Sequence, residues 1–195
     1  VVIFEKDNIK YGFCAFAPNK NMLSLLDVKK AKEIVRELKS QTDITIVSFH
    51  GGAEGTEHVR VPKKAEIFYG ENRGDVHHFA RSVVDAGADI VLGHGPHVTR
   101  AVEVYKNKFI AYSLGNFNTY GRFSLTGDKG IAPLLDIKLK SNGDFLSAKV
   151  VSVKQTKEKG LELDAENRAF QRIKQLTKLD FPEQNLKFEE NTIKL

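Results

Sequence analysis

The chain has 195 residues, 41% of them hydrophobic, and a formal net charge of +5. That length suits one sizeable core or two small ones, and the apolar content is that of an ordinary globular protein. Lys and Arg are scattered among Asp and Glu rather than gathered in a run, which argues against nucleic acid as a partner, and no stretch approaches the ~20 apolar residues of a membrane span. The single cysteine, Cys14, excludes an internal disulfide, and within "YGFCAFA" it reads as a small buried residue rather than a reactive thiol. The chain opens at "VVIFEKDN", already inside a strand-like segment and with no signal peptide visible, as a processed chain or an excised piece would.

In chain order, "VVIFEKDNIKYGFCAFAP" predicts two strands around a turn at Lys6 to Asn8. "DVKKAKEIVRELKS" places Val28, Ala31, Val35 and Leu38 on one face and predicts an amphipathic helix. A short β-branched strand, "DITIVSFHGG", follows, and then a stretch from Ala53 to Arg73 without strong periodicity. "GDVHHFARSVVDAG" puts Val76, Phe79, Ala80, Val83 and Val84 on one stripe, with Asp75 placed to cap the start and Gly87 to close the end. "ADIVLGHGPH" is the next strand, so strand, helix and strand form a parallel βαβ unit. The second half is richer in strand. "AVEVYKNKFIAYSLGNF" predicts a hairpin turning at Lys106 to Lys108, and "LLDIKLKSNGDFLSAKVVSVKQ" another around Asn-Gly. "DAENRAFQRIKQLTKLDF" predicts a last helix with Phe170, Ile173 and Leu176 or Leu179 inward. There is no internal repeat and no low-complexity linker, and one α/β domain is the economical reading.

The polar residues then acquire positions. His50 ends one strand, His94 and His97 end or follow another, and Asn116 follows a third. In open α/β sheets, ligands gather outside the carboxyl ends of strands, where the backbone splays into loops. Three strands therefore each deliver imidazole or amide groups to one edge, accompanied by Gly51, Gly52, Gly93, Gly95 and Gly115. Neutral imidazole suits zinc, manganese or iron. A lone histidine at a strand end is commonly a hydrogen-bonded turn residue, which serves for His50 alone. The pair His94 and His97, flanked by Gly and Pro, points to a site. His77 and His78 lie within the second helix, His78 opposite its apolar stripe, where a solvated face accounts for it. His58 in the loop lines a cleft or is simply exposed.

The stretches "VSFHGGAEG", "YGENRGDVHHFARSVVDAGADIVLGHGPHV" and "VEVYKNKFIAYSLGNF" resemble the second half of the bacterial capsule-synthesis proteins called CapA, the poly-γ-glutamate capsule biosynthesis family. The resemblance runs from about Ile9 to the C-terminus and is strongest from Val47 to Phe117. That family is similar to calcineurin-like metallophosphoesterases. The resemblance implies an α/β fold, a four-layer sandwich of mixed β-sheets flanked by helices, present here as a partial domain. Residues 1–195 would be the C-terminal part of a CapA-like domain, with the N-terminal metal-binding half outside this chain.

Carried over residue by residue, His50 matches the histidine ligand that closes the middle strand. His94 and His97 match the terminal histidine pair, although the phosphoesterase pattern separates that pair by one residue and not two. Glu54 matches the acidic position after the His-Gly turn, where it would touch a metal ligand or the substrate, and Asn116 matches the "SLGNF" asparagine near the metals. These two are the candidates for catalytic roles, with His58 and Arg73 as candidates for binding substrate. The family's opening Gly-Asp strand, its Asn-containing acidic motif and its Asn-Asn-His motif do not occur here.

The cofactor implied is one or two divalent metal ions (Mn, Zn or Fe). In a complete site these clamp a phosphate or similar oxyanion and lower the pKa of a bound water from about 15.7 to ~7. The substrate implied is a phosphate or an anionic polymer such as poly-γ-glutamate. The partner implied is the N-terminal half of the same domain, with self-association expected at an exposed sheet edge. The compartment implied is the cell envelope, extracytoplasmic or membrane-anchored through a segment not in this sequence. Two other readings stand beside the hydrolase. One is a non-catalytic binding or assembly subunit of an envelope polymer complex with a vestigial metal site. The other is an intact small protein whose histidines are turn residues.

Overall fold

The computed structural model describes residues 1–119, 121 and 123–195. Strands β1 (Val2–Lys6) and β2 (Ile9–Phe16) form an antiparallel hairpin whose two turn residues, Asp7 and Asn8, both take left-handed φ angles of 54° and 61°. Short Asx side chains tolerate that geometry, and it matches the natural twist of a two-residue hairpin. Helix α1 (Val28–Lys39) starts where the Asp27 carboxylate accepts a hydrogen bond from the Lys30 amide, and it buries Ala31, Val35 and Leu38. β3 (Ile44–His50) then returns parallel to β2.

The next stretch is better ordered than its lack of periodicity predicts. It holds a 3-10 turn at Thr56–His58 and a small hairpin of β4 (Ile67–Phe68) and β5 (Glu71–Asn72). Elements this short carry no usable period, and a side chain far away in sequence holds them. Helix α2 (Val76–Asp85) begins with Asp75 accepting from the His78 amide, and Gly87, at φ 118°, follows its last turn. β6 (Ile90–His94) lies parallel to β3, and the hairpin of β7 (Val102–Tyr105) and β8 (Lys108–Ala111) completes the sheet. The strand order is β1-β2-β3-β6-β8-β7.

A second, antiparallel sheet is built on the long strand β10 (Phe145–Thr156). β9 (Ile131–Leu139) runs along one side of it. β11 (Gly160–Leu163) and the pair β12 (Lys187–Glu189) and β13 (Thr192–Lys194) occupy the other. Helix α3 (Arg168–Asp180) buries Phe170, Ile173 and Leu176, while Leu179 is exposed.

The core has two parts. On one face of the first sheet, Cys14, Val47, Phe49, Val91 and Ile110 pack against α1 and α2. Burial pushes the Cys14 thiol up to about 11, so it is inert at neutral pH, as its sequence context predicts. On the other face, Val102, Phe109 and Ala111 meet Phe145, Ala148 and Val150 of the second sheet, with Phe170 and Ile173 of α3 between them. α3 and the turn that follows it close the β7 edge: Thr177 Oγ1 accepts from the Val102 amide at 3.0 Å, and Gln184 Oε1, beyond the helix, accepts from that of Val104 at 2.9 Å. The described residues thus form an α/β sandwich of three layers, two helices and two sheets deep.

The second sheet covers only the β6-β8-β7 end of the first. Toward β1 the sheets part around a cavity of about 530 Å³ lined by Ile9, Ile44, Ile46, Ile90, Ile137 and Leu139 together with polar groups that include Asp43 and Lys140. Beyond it, Val2, Phe4, Ile9 and Phe13 are all exposed, and β9 has β10 as its one strand neighbour among the described residues.

Candidate functional site

β3 and β6 are adjacent parallel strands, and His50 is in direct register with His94. Register partners on parallel strands project from the same face, so the two imidazoles emerge side by side at the carboxyl edge of the sheet. The Gly51 amide donates to the His94 carbonyl at 2.8 Å and holds the two exits together. Gly95 then turns away at φ 122°, where an added Cβ would stand 2.5 Å from the Gly51 carbonyl oxygen. Only glycine permits that approach. The turn brings His97 back over the strand ends in a left-handed conformation, φ 57°, with its ring 6.3 Å from that of His50. The strand exits that carry the three histidines in the sequence do meet at one edge.

Asn116 is buried beneath His97. Its amide nitrogen donates to the carbonyls of His97 (3.2 Å) and Lys129 (3.0 Å), so its oxygen faces His97 Nδ1 at 2.8 Å. An oxygen accepts only, so Nδ1 carries the ring proton and the lone pair of the neutral imidazole lies on Nε2. Nε2 points toward the Glu54 carboxylate, 3.9 Å away.

Burial pushes the His94 pKa below the usual 6.5, and neighbouring His50 pushes it further. Burial does the same to His50, aided by the Arg73 guanidinium and His97, against the opposing pull of Glu54. Both rings are therefore neutral at physiological pH, which is the ligating form.

Arg73 and Glu54 are not free. Arg73 Nη2 donates to Glu54 Oε1 at 2.8 Å and lies 3.5 Å from His50 Nε2, while Nη1 is 3.7 Å from Glu71. Arg73 Nε is buried without a hydrogen-bond partner among the described residues. His58, half-buried, lines a cleft of about 500 Å³ that opens beside His97 and Asn116. His78 is exposed, whereas His77 is half-buried with its ring stacked on Tyr112 and Phe181.

Sequence reasoning misses Arg100, which lies just beyond "GHGPH". Its guanidinium is fully buried and pairs with Glu66 through Nη1 (3.0 Å) and Nη2 (2.7 Å), and it donates to the carbonyls of His58 (2.8 Å) and Ala53 (3.3 Å). This fork clamps both ends of the segment that carries Glu54 and His58. Nothing in the sequence links Arg100 to a glutamate 34 residues earlier.

The donors fit a divalent metal in kind but not in number. Three imidazoles converge, one with its tautomer set by Asn116. Yet among the described residues no group of three or more His, Cys, Asp or Glu side chains is arranged to hold one ion. A guanidinium also stands close to His50.

Residues 4–120, more than half of the chain, match the family model of the bacterial capsule synthesis protein PGA_cap. The chain belongs to this family. It is 35% identical to the PGA biosynthesis protein CapA of Bacillus subtilis over 131 residues, which are 66% of this chain and 30% of that protein. It is 34% identical to the capsule biosynthesis protein CapA of Bacillus anthracis over 119 residues, 61% of this chain and 24% of that one. The chain thus spans less than a third of the length of these PGA_cap relatives. Among solved structures it is similar to a putative 5'-nucleotidase from Staphylococcus aureus at 15% identity, with a TM-score of 0.40 over 84% of this chain and 28% of that one.

Proposed function

We infer that this chain is the imidazole-bearing part of an oxyanion-handling, divalent-metal site in a protein of capsule biosynthesis, acting at the cell envelope. The observation that carries the reading is the meeting of His50, His94 and His97 at one sheet edge, with Asn116 setting the His97 tautomer. A divalent ion bound there supplies Lewis-acid polarisation of a phosphoryl or carbonyl oxygen. The chain's own residues do the rest. Asn116 keeps the proton on His97 Nδ1 so that Nε2 faces the reacting group. Glu54 fixes the Arg73 fork, which is matched in shape to a phosphate or carboxylate. The substrate class is a phosphate ester or a γ-linked glutamate polymer. The carboxylate ligands would come from the N-terminal half of the same domain, docked over the uncovered β1–β3 face.

The test is Mn²⁺ binding followed by electron paramagnetic resonance, on this chain alone and on a protein that also carries the Gly-Asp and Asn-Asn-His segments. The chain alone should bind one ion weakly, with loss on His97→Ala. The longer protein should bind more tightly and hydrolyse p-nitrophenyl phosphate. No binding by either protein would end the metal reading.

One observation favours a second reading, a non-catalytic subunit that binds an anionic polymer. Arg73 places a positive charge 3.5 Å from His50 Nε2, where a second cation would be repelled. On that reading the longer protein binds poly-γ-glutamate without hydrolysing a phosphate ester, and Arg73→Ala abolishes the binding.

A further inference from the structure

The cleft beside His97 has aromatic walls that the oxyanion site does not use. One wall is the tip of the β4–β5 hairpin, with Phe68 and Tyr69, and the other is Phe123. Tyr69 and Gly70 form the two-residue turn between the paired residues Phe68 and Glu71. Tyr69 takes a φ of 49°, and Gly70 one of 80°. That first position favours Asn, Asp or Gly, and a bulky residue there is strained. Among the described residues its ring meets that of Phe68, 4.4 Å between centroids, yet Tyr69 remains 92% exposed.

The other two rings are anchored on one side and open on the other. Phe68 meets the edge of His58 at 5.8 Å, and Phe123 lies 4.9 Å from the His97 ring yet remains 43% exposed. The charged side chains lining the cleft, Glu54 and Glu57 against Lys129, leave an excess of one negative charge. An extended polyanion would meet two carboxylates in this space, whereas an uncharged ring would meet aromatic faces.

We propose that this cleft is a subsite for a planar, uncharged ring, aryl or heterocyclic, carried by the molecule whose oxyanion reaches the His97 end. The ring stacks between the Phe68–Tyr69 tip and Phe123. The oxyanion part of the proposal rests on the function inferred above, and the ring part stands on the cleft alone. A volume of about 500 Å³ is of the size that small-molecule sites use.

The test uses the 195-residue chain without added metal and ligand-observed NMR titration. The probes are p-nitrophenyl phosphate, ethyl phosphate, p-nitrophenol and methyl glucoside. p-Nitrophenyl phosphate should bind about tenfold more tightly than ethyl phosphate, the scale of one stacked ring. The double variant Tyr69→Ala, Phe123→Ala should erase that difference and leave ethyl phosphate binding unchanged. Both side chains are exposed, so thermal melting should not move. Equal affinity for the two phosphates overturns the proposal, as does a ring preference that survives in the double variant. Tighter binding of the glucoside than of p-nitrophenol also overturns it, because the subsite would then take a sugar. If p-nitrophenol binds and neither phosphate does, the ring subsite stands and metal-independent oxyanion binding at the His97 end is ruled out.

Discussion

Replacing Arg100 with Met should be among the most damaging single changes in this chain, and the structure sets its size. The substitution removes four hydrogen bonds from one buried guanidinium and leaves the Glu66 carboxylate, 7% exposed, with only the Ala53 amide as a donor among the described residues. Breaking a buried ion pair by removing one partner costs about 3–5 kcal/mol. Against a total stability of roughly 5–15 kcal/mol, that is a large share. With a urea dependence of about 2 kcal/mol per M, the midpoint should fall by ~2 M. The carbonyls of Ala53 and His58 also lose their donor, so limited proteolysis should cut within 53–66 before the rest of the chain. The paired change Arg100→Met, Glu66→Leu should recover most of the loss, since an apolar pair of similar volume is often neutral in place of a buried ion pair. A loss below about 1 kcal/mol for Arg100→Met would refute the clamp. A double variant no more stable than the single one would refute it equally.

Acid should destabilise the folded chain. His50, His77 and His94 have folded pKa values held below the usual 6.5, chiefly by burial. The unfolded chain therefore binds more protons, so the stability these rings contribute is complete above about pH 6.5 and is lost as pH falls through the folded values. Urea midpoints from pH 7.5 to 5 should decline, less steeply in His94→Gln, and a flat profile would contradict the burial assigned to these rings. Asn116→Ala should release the His97 tautomer, giving mixed Nδ1–H and Nε2–H signals in ¹⁵N-resolved NMR where the wild type shows Nδ1–H alone; an unchanged spectrum would refute the role given to Asn116. The exposed β1–β2 face should drive association, because uncovered apolar strands recruit other chains. Phe4→Lys with Phe13→Lys should then lower the weight-average mass in sedimentation at high concentration, and a wild type that stays monomeric would refute this reading.

The local order of the chain is readable from the sequence because it depends on near neighbours. The stripe at Ala31, Val35 and Leu38, the caps at Asp27 and Asp75, and the turns at Asp7–Asn8 and Lys106–Asn107 are each set within a few residues. The same holds for the delivery of His50 and His94 to strand exits, since a β-branched run ending in glycine specifies a strand and its end. What only the tertiary structure decides depends on distance. Register between β3 and β6 puts His50 beside His94, although 44 residues separate them in the chain. The Arg100–Glu66 fork, the closing of the sandwich by α3 and the meeting of the β4–β5 tip with Phe123 across a cleft have no local period either. A buried charge finds its partner, and an aromatic wall its opposite wall, through the path of the folded chain.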